Sequence, residues 1–393
     1  MALAVREPRL GPRDGAWQAD PGYGVYVHVP FCRHRCHYCD FNTYEGLDAL
    51  HEPYVAALER VVASSADHPG PATSVFFGGG TPTLLQPAQL GRILGAIRGS
   101  AGIAREAEVT IEANPETVDE QTFAELLDAG FNRFSVGVQS LAPHVLQRLG
   151  RTHSAETALR ALAAARRAGA TDLNADLIFG SPWETPADWT RSLEGIVAAE
   201  TAHVSAYALT VEEGTPLATL VATGREPDVD PDVQAERHAQ TTEVLGAAGF
   251  VRYEVSNWAR PGHASRHNVL YWSAGDYAGF GAGAHGHVGG RRYWNKRLPR
   301  EFVAAAIAAE STEAGAERLG PAERAREAIV LGLRLASGVH EPSFFDRFPE
   351  GRPEAERTAR ELCDAGWFER DGGWLRLSPQ ATFVANDVLC RFL

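Results

Sequence analysis

Short apolar segments alternate with longer helical patterns through the first half of the chain, and this alternation restricts the fold more than any other feature. Six segments rich in β-branched and aromatic residues are predicted strands: 24–29, 74–77, 108–113, 133–138, 172–179 and 203–209. Helical patterns lie between them at 48–63, 88–98, 119–129, 155–168 and 186–199. Such alternation gives a parallel sheet flanked by helices. We predict an α/β fold with an incomplete parallel (β/α)6 barrel, and the count leaves an open doubly wound sheet as the alternative.

Three of these strands have one polar face. Side chains alternate between the two faces of a strand, and the polar sets are Thr110 and Glu112; Ser135, Gly137 and Gln139; and Asp172, Asn174 and Asp176. A small closed barrel fills its interior with apolar layers. Polar residues on this face therefore indicate an interior that holds a ligand, and the alternative is that they cap strand ends at the rim.

The second half of the chain has a different character. A helix is predicted over 232–248, followed by a Gly-, His- and Trp-rich region, 250–294, with little periodicity. Further helices over 321–335 and 354–365 and a strand over 374–377 indicate a small α+β domain of winged-helix type. We divide the chain into a disordered N-terminal tail (1–22), a core with a Gly/His-rich extension (23–300), a linker (301–320) and a C-terminal accessory domain (321–393).

The charge balance limits the partners. The chain of 393 residues has 37 Lys and Arg against 50 Asp and Glu, a formal net charge of -13. A general nucleic-acid binder needs a basic face, so we expect no nucleic-acid partner. No apolar stretch reaches the length of a membrane span, and the N-terminus has no secretory h-region. We expect a cytoplasmic protein.

Three of the five cysteines lie within eight positions, directly after the first predicted strand. Cys32, Cys36 and Cys39 have the spacing C-x3-C-x2-C, whereas Cys363 and Cys390 lie far away in apolar surroundings and are predicted buried thiols. Thiolates bind soft metals and iron–sulfur clusters. Three thiolates leave one iron of a cubane open to another ligand.

A zinc site is the alternative for this motif. His34 or His37 would supply the fourth ligand of a zinc ion. Arg33 and Arg35 in the same loop would offset the negative charge of a cluster with bound thiolates, or lie in a solvated loop.

A glycine run, Gly78-Gly79-Gly80, ends the second predicted strand and continues into Thr81-Pro82. Glycines at a strand end permit close backbone approach and positive φ. The proline argues against a dinucleotide fingerprint, which opens a helix. The run is better explained as a backbone wall that offers N–H and C=O groups to a small polar ligand.

Together these motifs resemble the radical S-adenosylmethionine (SAM) superfamily, and within it the branch of oxygen-independent coproporphyrinogen III oxidase and the heme chaperone HemW. The resemblance covers 23 to about 294 well and the C-terminal domain loosely. Matching segments are Tyr26-Val27-His28-Val29-Pro30-Phe31-Cys32, Glu112-Ala113-Asn114-Pro115, Gly137-Val138-Gln139-Ser140, Gly150-Arg151-Thr152-His153 and Asp176-Leu177-Ile178-Phe179-Gly180.

The resemblance implies a [4Fe-4S] cluster on Cys32, Cys36 and Cys39, with SAM chelating the open iron through its amino and carboxylate groups. The positions that match the cofactor contacts of the family are Tyr26, Tyr38 (the aromatic residue before the last cysteine), Gly79, Gly80, Thr81, Glu112, Gln139, Arg151 and Asp176. Glu112, Gln139 and Asp176 also lie on the polar strand face. The expected core is thus an incomplete barrel of radical SAM type.

Two differences from the pattern of coproporphyrinogen oxidase, and one motif, indicate which member of this branch the chain resembles more. Coproporphyrinogen oxidase continues to a fourth cysteine where this chain has Phe41, and it has a longer segment before the triad. The run His267-Asn268-Val269-Leu270-Tyr271-Trp272 instead matches the His-Asn-x-x-Tyr-Trp motif of the heme chaperones. Imidazole is a natural axial ligand of heme iron, and aromatic rings stack on porphyrins.

The alternative is that His267 is a packed loop residue. His263, His285 and His287 are secondary candidates for a heme ligand.

We therefore expect a heme chaperone that binds a [4Fe-4S] cluster, SAM and heme and passes heme to an unidentified acceptor protein, with membrane contact, if any, made through that acceptor. The alternatives are coproporphyrinogen III decarboxylation and a radical SAM methyltransferase or cyclopropanase of the same branch.

Overall fold

The computed structural model describes residues 11, 14–65 and 68–393, and the backbone alone at position 383. The chain divides into two compact units. The sheet unit comprises 22–250 and 276–318. The C-terminal unit comprises 251–275, 319–393 and the described residues before 22. No helix among the described residues has both the length and the apolar character to cross a membrane.

The elements are numbered in chain order. The strands are β1 (Tyr23–Val29), β2 (Ala72–Gly79), β3 (Ile103–Ala113), β4 (Arg133–Gln139), β5 (Asp172–Phe179), β6 (His203–Ala208), β7 (Val251–Arg252), β8 (Asn257–Ala259), β9 (Asp276–Phe280), β10 (His285–Val288), β11 (Arg291–Asn295), β12 (Glu313–Arg318), β13 (Val339–His340), β14 (Phe368–Asp371) and β15 (Trp374–Leu377). The helices are α1 (His51–Ser64), α2 (Pro87–Gly99), α3 (Glu120–Ala129), α4 (Pro143–Arg148), α5 (Ala155–Arg167), α6 (Pro186–Ala198), α7 (Pro216–Ala222), α8 (Pro231–Ala247), α9 (Arg266–Trp272), α10 (Pro299–Ile307), α11 (Pro321–Gly332), α12 (Glu341–Arg347), α13 (Arg352–Asp364) and α14 (Ala385–Leu389).

The sheet unit is built on one mixed sheet. Strands β1 to β6 are parallel and lie side by side in chain order, and β9 pairs in parallel with the other edge of β1. Strands β10, β11 and β12 then continue antiparallel. The six predicted parallel strands are confirmed, and among the described residues they form no closed barrel. Their order has no reversal of the kind that a doubly wound sheet requires, so that alternative is wrong.

Local sequence signals explain where the helices of this unit begin. Helix α6 follows a capping box in which Thr185 and Asp188 exchange side-chain and backbone hydrogen bonds, with Pro186 in the first turn. Ser154 and Asp119 cap α5 and α3 by accepting a hydrogen bond from the backbone N–H of Thr157 and of Thr122, respectively. Each side-chain cap satisfies a backbone N–H that the helix leaves unpaired. These signals fix the connections that bring the ends of the parallel strands to one edge of the sheet.

The C-terminal unit combines helices with a three-stranded antiparallel sheet in the order β13-β15-β14. The predicted strand over 374–377 is confirmed as β15. Of the two distal cysteines, Cys363 packs partly buried against the core of the unit. Cys390 is exposed, so the prediction that it is a buried thiol is wrong.

The described part of the predicted N-terminal tail is packed rather than disordered. Trp17 is 5% exposed, its ring lies 5.9 Å from that of Phe344, and its backbone N–H donates to Ser337 Oγ at 3.1 Å. Burying one large aromatic side chain stabilises the fold enough to hold a short segment in place. Residues 1–10 and 12–13 of the predicted tail lie outside the described residues.

The predicted linker over 301–320 is also wrong. It contains most of α10 and all of β12, both in the sheet unit. Phe302 is fully buried beside Tyr54, with ring centroids 5.5 Å apart. Gly315 gives the Trp294 indole room, since a Cβ there would lie 2.4 Å from the ring. These contacts are remote in sequence, so the Ala- and Glu-rich pattern did not indicate them.

The prediction that residues 251–275 extend the core is wrong, because these residues belong to the C-terminal unit.

Candidate functional site

The predicted polar face exists, and it leads to the carboxyl ends of the parallel strands. Glu112 on β3 pairs in register with Ser135 on β4, which pairs with Asn174 on β5. Gly137 pairs with Asp176. Parallel strands end at the same edge of the sheet, where α/β proteins bind ligands. The cysteine loop follows β1 at this edge, and the glycine run ends β2.

The cysteine loop is fixed by backbone hydrogen bonds. The Cys32 N–H donates to Tyr44 O at 3.0 Å, the Cys39 N–H to Cys36 O at 3.2 Å, and the His37 N–H to Leu149 O at 3.1 Å. All three cysteines are half-buried. The loop therefore holds its thiols at the protein surface on a defined backbone.

Two arginines bring positive charge to this loop. Arg151 Nη1 lies 3.3 Å from Cys36 Sγ, and its Nη2 donates to Asn114 Oδ1 at 2.8 Å and to Gly137 O at 3.1 Å. Arg35 Nη2 donates to Cys39 O at 3.0 Å. The Nε atoms of both arginines are buried without a hydrogen-bond partner. The two guanidinium groups thus have donor capacity left for an anionic group beside the thiols.

The donor set fits an iron–sulfur cluster. Burial raises the pKa of Cys32 to about 11 and also raises that of Cys39, so without metal these thiols are protonated. A bound metal centre would deprotonate them. Among the described residues, no three His, Cys, Asp or Glu side chains are grouped as ligands of one metal ion. A cubane takes its thiolates on separate irons, so its ligands need not converge on a single ion.

Tyr38 and Thr81 flank the thiols. Tyr38 packs partly buried against an apolar cluster that includes Val145 and Leu149. Thr81 is buried, its Oγ1 lies 4.0 Å from Cys32 Sγ, and it accepts a hydrogen bond from Asn114 Nδ2 at 3.0 Å.

The glycine run allows the backbone to approach both the cysteine loop and the polar face. A Cβ on Gly80 would lie 2.4 Å from Phe31 O and 3.0 Å from Cys32 Sγ. Gly79 has φ of 116°, a conformation that favours glycine. Its N–H donates to Glu112 Oε2 at 3.0 Å. The run therefore places backbone groups close to both the first thiol and the Glu112 carboxylate.

A hydrogen-bonded network holds Asp176. Its carboxylate accepts from Ser135 Oγ at 2.7 Å and from Asn174 Nδ2 at 2.8 Å. Asn174 also donates to Ser205 Oγ at 3.0 Å, and its Oδ1 lies 2.7 Å from His203 Nδ1. Burial raises the pKa of Asp176. Because its neighbours are already bonded to one another, the carboxylate is held in a fixed orientation.

No cationic side chain among the described residues forms an ion pair with Glu112. Burial, together with the negative charge of Asp176, raises the pKa of Glu112 to about 8. A bound ligand with an amino group would supply the missing positive charge. Glu112 is thus suited to hold an ammonium group beside the glycine run.

We predict that Glu112→Gln makes the stability of the ligand-free protein less sensitive to pH. The pKa of Glu112 is about 8 in the folded protein against 4.5 when unperturbed. Between these pH values the folded state holds a proton that the unfolded state has lost, so stability falls as pH rises and then levels off. Relative to the wild type, the free energy of unfolding of the variant should rise by about 2–4 kcal/mol between pH 5 and pH 8.5.

The measurement is the free energy of unfolding in urea at both pH values. Glu106→Gln, an exposed position on the same strand, controls for the loss of a surface charge. An equal difference between Glu112→Gln and the wild type at both pH values would contradict the prediction.

Gln139 ends β4 in a strained conformation. Its φ of 65° lies in the left-handed region, and the register with β5 shifts between Gly137 and Gln139. A non-glycine residue in this region costs roughly 1–2 kcal/mol, and such strain is concentrated at functional sites. The bulge brings the end of β4 next to Arg151 and Asn114. The alternation of side chains along the strand did not predict this position.

His267 lies in the C-terminal unit, on the short helix α9. It is 2% exposed, its Nε2 lies 2.9 Å from the Tyr271 hydroxyl, and the two rings meet edge to face. Burial lowers the pKa of His267 to about 3, so its imidazole is neutral. Neutral imidazole can ligate iron, but in this conformation Tyr271 occupies its Nε2.

Three residues of the site were not singled out from the sequence. Asn114 joins Arg151 to Thr81, and His28 and Asn42 connect the strand with the cysteine loop: the Tyr26 hydroxyl lies 2.8 Å from His28 Nδ1, and His28 Nε2 lies 2.9 Å from Asn42 O. Asn114 and His28 lie inside segments that matched the family, whereas Asn42 had no local signal.

Both the sequence and the fold of the chain are similar to those of known proteins. Residues 26–195 match the radical SAM superfamily, and residues 319–384 match the HemN C-terminal domain. The chain is 40% identical over 391 residues to heme chaperone HemW of Mycobacterium tuberculosis, covering 98% of this chain and 97% of that protein. It is 39% identical to the mitochondrial radical S-adenosyl methionine domain-containing protein 1 of Bos taurus, covering 94% and 87%.

Among solved structures, coproporphyrinogen III oxidase (HemN) from Escherichia coli is similar with a TM-score of 0.81. The two share 20% sequence identity, and the match covers 99% of this chain and 95% of that one. At this identity the likeness concerns the fold.

Proposed function

Since the chain belongs to the radical SAM superfamily and, within it, to the family of the heme chaperone HemW, we propose that it binds heme and transfers it to an acceptor protein. The observation that carries the proposal is the similarity to HemW, 40% identity along 98% of the chain. Membership of the radical SAM superfamily implies a [4Fe-4S] cluster and SAM. A cytoplasmic location and an acceptor that makes any membrane contact are part of the same proposal.

The cluster would be held by Cys32, Cys36 and Cys39. When bound, it would supply an open iron for SAM and the electron for reductive cleavage of the sulfonium. Arg151 and Arg35 stabilise negative charge beside the thiols through the contacts described above. The backbone of the glycine run forms one wall of the site.

The remaining polar residues would bind and orient SAM. Glu112 takes a cationic amino group, because burial and Asp176 raise its pKa and no cationic side chain in the described part of the chain pairs with it. Asp176 is held by its network in one orientation and accepts hydrogen bonds from the ligand. Tyr26, Tyr38, Gly79, Gly80, Thr81 and Gln139 would complete the SAM site. None of these assignments requires the protein to decarboxylate a porphyrin.

Heme would be the cargo. The motif at His267 is the feature of the sequence that favours a chaperone, and its imidazole is neutral as a ligand must be. Ligation there requires the Tyr271 hydroxyl to leave His267 Nε2. Phe41 stands where the oxidase has a fourth cysteine, and it is 60% exposed, so the site lacks a thiol that the oxidase pattern contains.

The purified protein should bind heme and should not convert coproporphyrinogen III. We expect a Soret band on addition of heme, and neither protoporphyrinogen nor carbon dioxide under reducing conditions with SAM. His267→Ala should leave the absorbance of the cluster unchanged. Turnover of coproporphyrinogen III would replace the chaperone with the oxidase, and SAM-dependent methylation would replace it with a methyltransferase.

A further inference from the structure

Strands β9 to β11 place aromatic and imidazole side chains on the polar face of the sheet. The registers that connect them are Gly24 with Tyr277, Tyr277 with His287, and His285 with Trp294. Directly paired residues share a face, and so do residues two apart on one strand. His285, Trp294 and Tyr277 therefore share the face of Tyr26, so the polar face continues beyond the proposed SAM site.

His285 combines exposure with a flat aromatic neighbour. Its side chain is exposed at the start of β10, and its ring stacks with that of Trp294 at 6.1 Å and 29°. Trp294 is itself held in place, since it packs over the bare backbone of Gly315. An open imidazole beside a fixed indole can offer iron a ligand and a porphyrin a stacking surface. His267, by contrast, is buried and bonded to Tyr271.

Hydrogen bonds tie the segment before His285 to the cysteine loop. Asn42, three positions after Cys39, donates from Nδ2 to Ala282 O at 2.9 Å and to Arg297 O at 2.9 Å. Ala282 lies three positions before His285. The segment after the thiols, the segment before β10 and Arg297 thus form one hydrogen-bonded assembly within the sheet unit.

The same assembly has an apolar and cationic border. Phe41, which precedes Asn42, is 60% exposed. Leu298, which follows Arg297, is 47% exposed. Arg297 is exposed, and its Nε donates to Asn42 Oδ1 at 3.2 Å. A heme offers a broad apolar ring and two carboxylates, so apolar side chains with an arginine suit it better than a small polar ligand.

We propose that His285 is the axial ligand that receives heme iron on the sheet unit, with Trp294 against the porphyrin. The proposal rests on the proposed function and deepens it. An imidazole nitrogen donates its lone pair to the iron, and no change of oxidation state is needed. His285 is then the accessible ligand, beside the SAM site.

Heme titration of the full-length protein tests this assignment. We expect His285→Ala to weaken heme binding by at least about tenfold, equivalent to ~1.4 kcal/mol, and to abolish the spectrum of imidazole-ligated iron. Added imidazole should restore that spectrum in the variant. Trp294→Ala should weaken binding but keep the ligand spectrum, and Trp294→Phe should recover much of the affinity. His144→Ala, which removes another exposed histidine, is the matched control.

The outcomes separate the two proposals. If the wild type binds heme and His285→Ala keeps its affinity and spectrum, the assignment of His285 is wrong while the chaperone function stands. If His287→Ala alone loses the spectrum, the ligand is the neighbouring histidine and the assignment is again wrong. If the wild type binds no heme, the proposed function and the assignment fail together. Unchanged iron content and cluster absorbance in all variants would show that they remain folded around the thiols.

Discussion

Replacing Cys32, Cys36 or Cys39 by alanine should abolish the iron–sulfur centre, whereas Cys363→Ala should leave it intact. We expect about four irons per chain in wild-type protein purified without oxygen. The three half-buried thiols lie in the loop that Arg35 and Arg151 supply with positive charge. Loss of one thiolate would leave two anchors for a cubane. The measurements are iron and acid-labile sulfide per chain and the visible absorbance of each variant.

Cys363 is a suitable control because it is a partly buried thiol of the C-terminal unit. Zinc without labile sulfide in the wild type would contradict the cluster assignment. An intact cluster in any of the three triad variants would show that the removed cysteine is not a ligand.

The second large effect is expected for SAM binding. Asp176→Asn and Arg151→Lys should each weaken SAM affinity by roughly tenfold to a hundredfold, since a lost charge-assisted hydrogen bond costs ~1.5–3 kcal/mol. The asparagine keeps the size of Asp176, and the lysine keeps the charge of Arg151 but not its fork of donors. Isothermal titration calorimetry with cluster-loaded protein measures the SAM affinity of both variants.

Asp172→Asn is the matched control, because Asp172 lies on the same face of β5 four residues before Asp176. Circular dichroism and urea unfolding show whether each variant is folded. Equal affinities for the wild type, Asp176→Asn and Arg151→Lys would mean that the polar face of the sheet does not bind SAM.

The regular part of the fold was predictable because its signals are local. The strand predicted over 172–179 is β5 without any shift, and the helix predicted over 186–199 is α6 with one residue fewer. A short apolar segment marks β5, and a side-chain cap marks the start of α6. The region from 251 to 318 was not predictable in this way. Its elements are short, and α10 and β12 depend on contacts such as Phe302 with Tyr54 and Trp294 over Gly315.

The residues of the candidate site were likewise predictable only where their signals are local. Alternation along β3 to β5 was enough to place Glu112 and Asp176 on one face, and the structure brings them close enough for the charge of Asp176 to raise the pKa of Glu112. The role of Asn42 could not be found from local patterns, because its hydrogen bond to Ala282 spans 240 positions. The burial of His267 is likewise a property of tertiary packing, which a six-residue motif does not encode.

The path of hydrogen bonds from Tyr26 through His28 and Asn42 to Ala282 has a thermodynamic consequence for a protein with two ligands. It connects the strand beside the SAM site with the segment before His285. If SAM changes the affinity for heme by some factor, heme must change the affinity for SAM by the same factor, because binding free energies form a closed cycle. The effect of SAM on heme release and the effect of heme on SAM binding would then be set by the same coupling free energy.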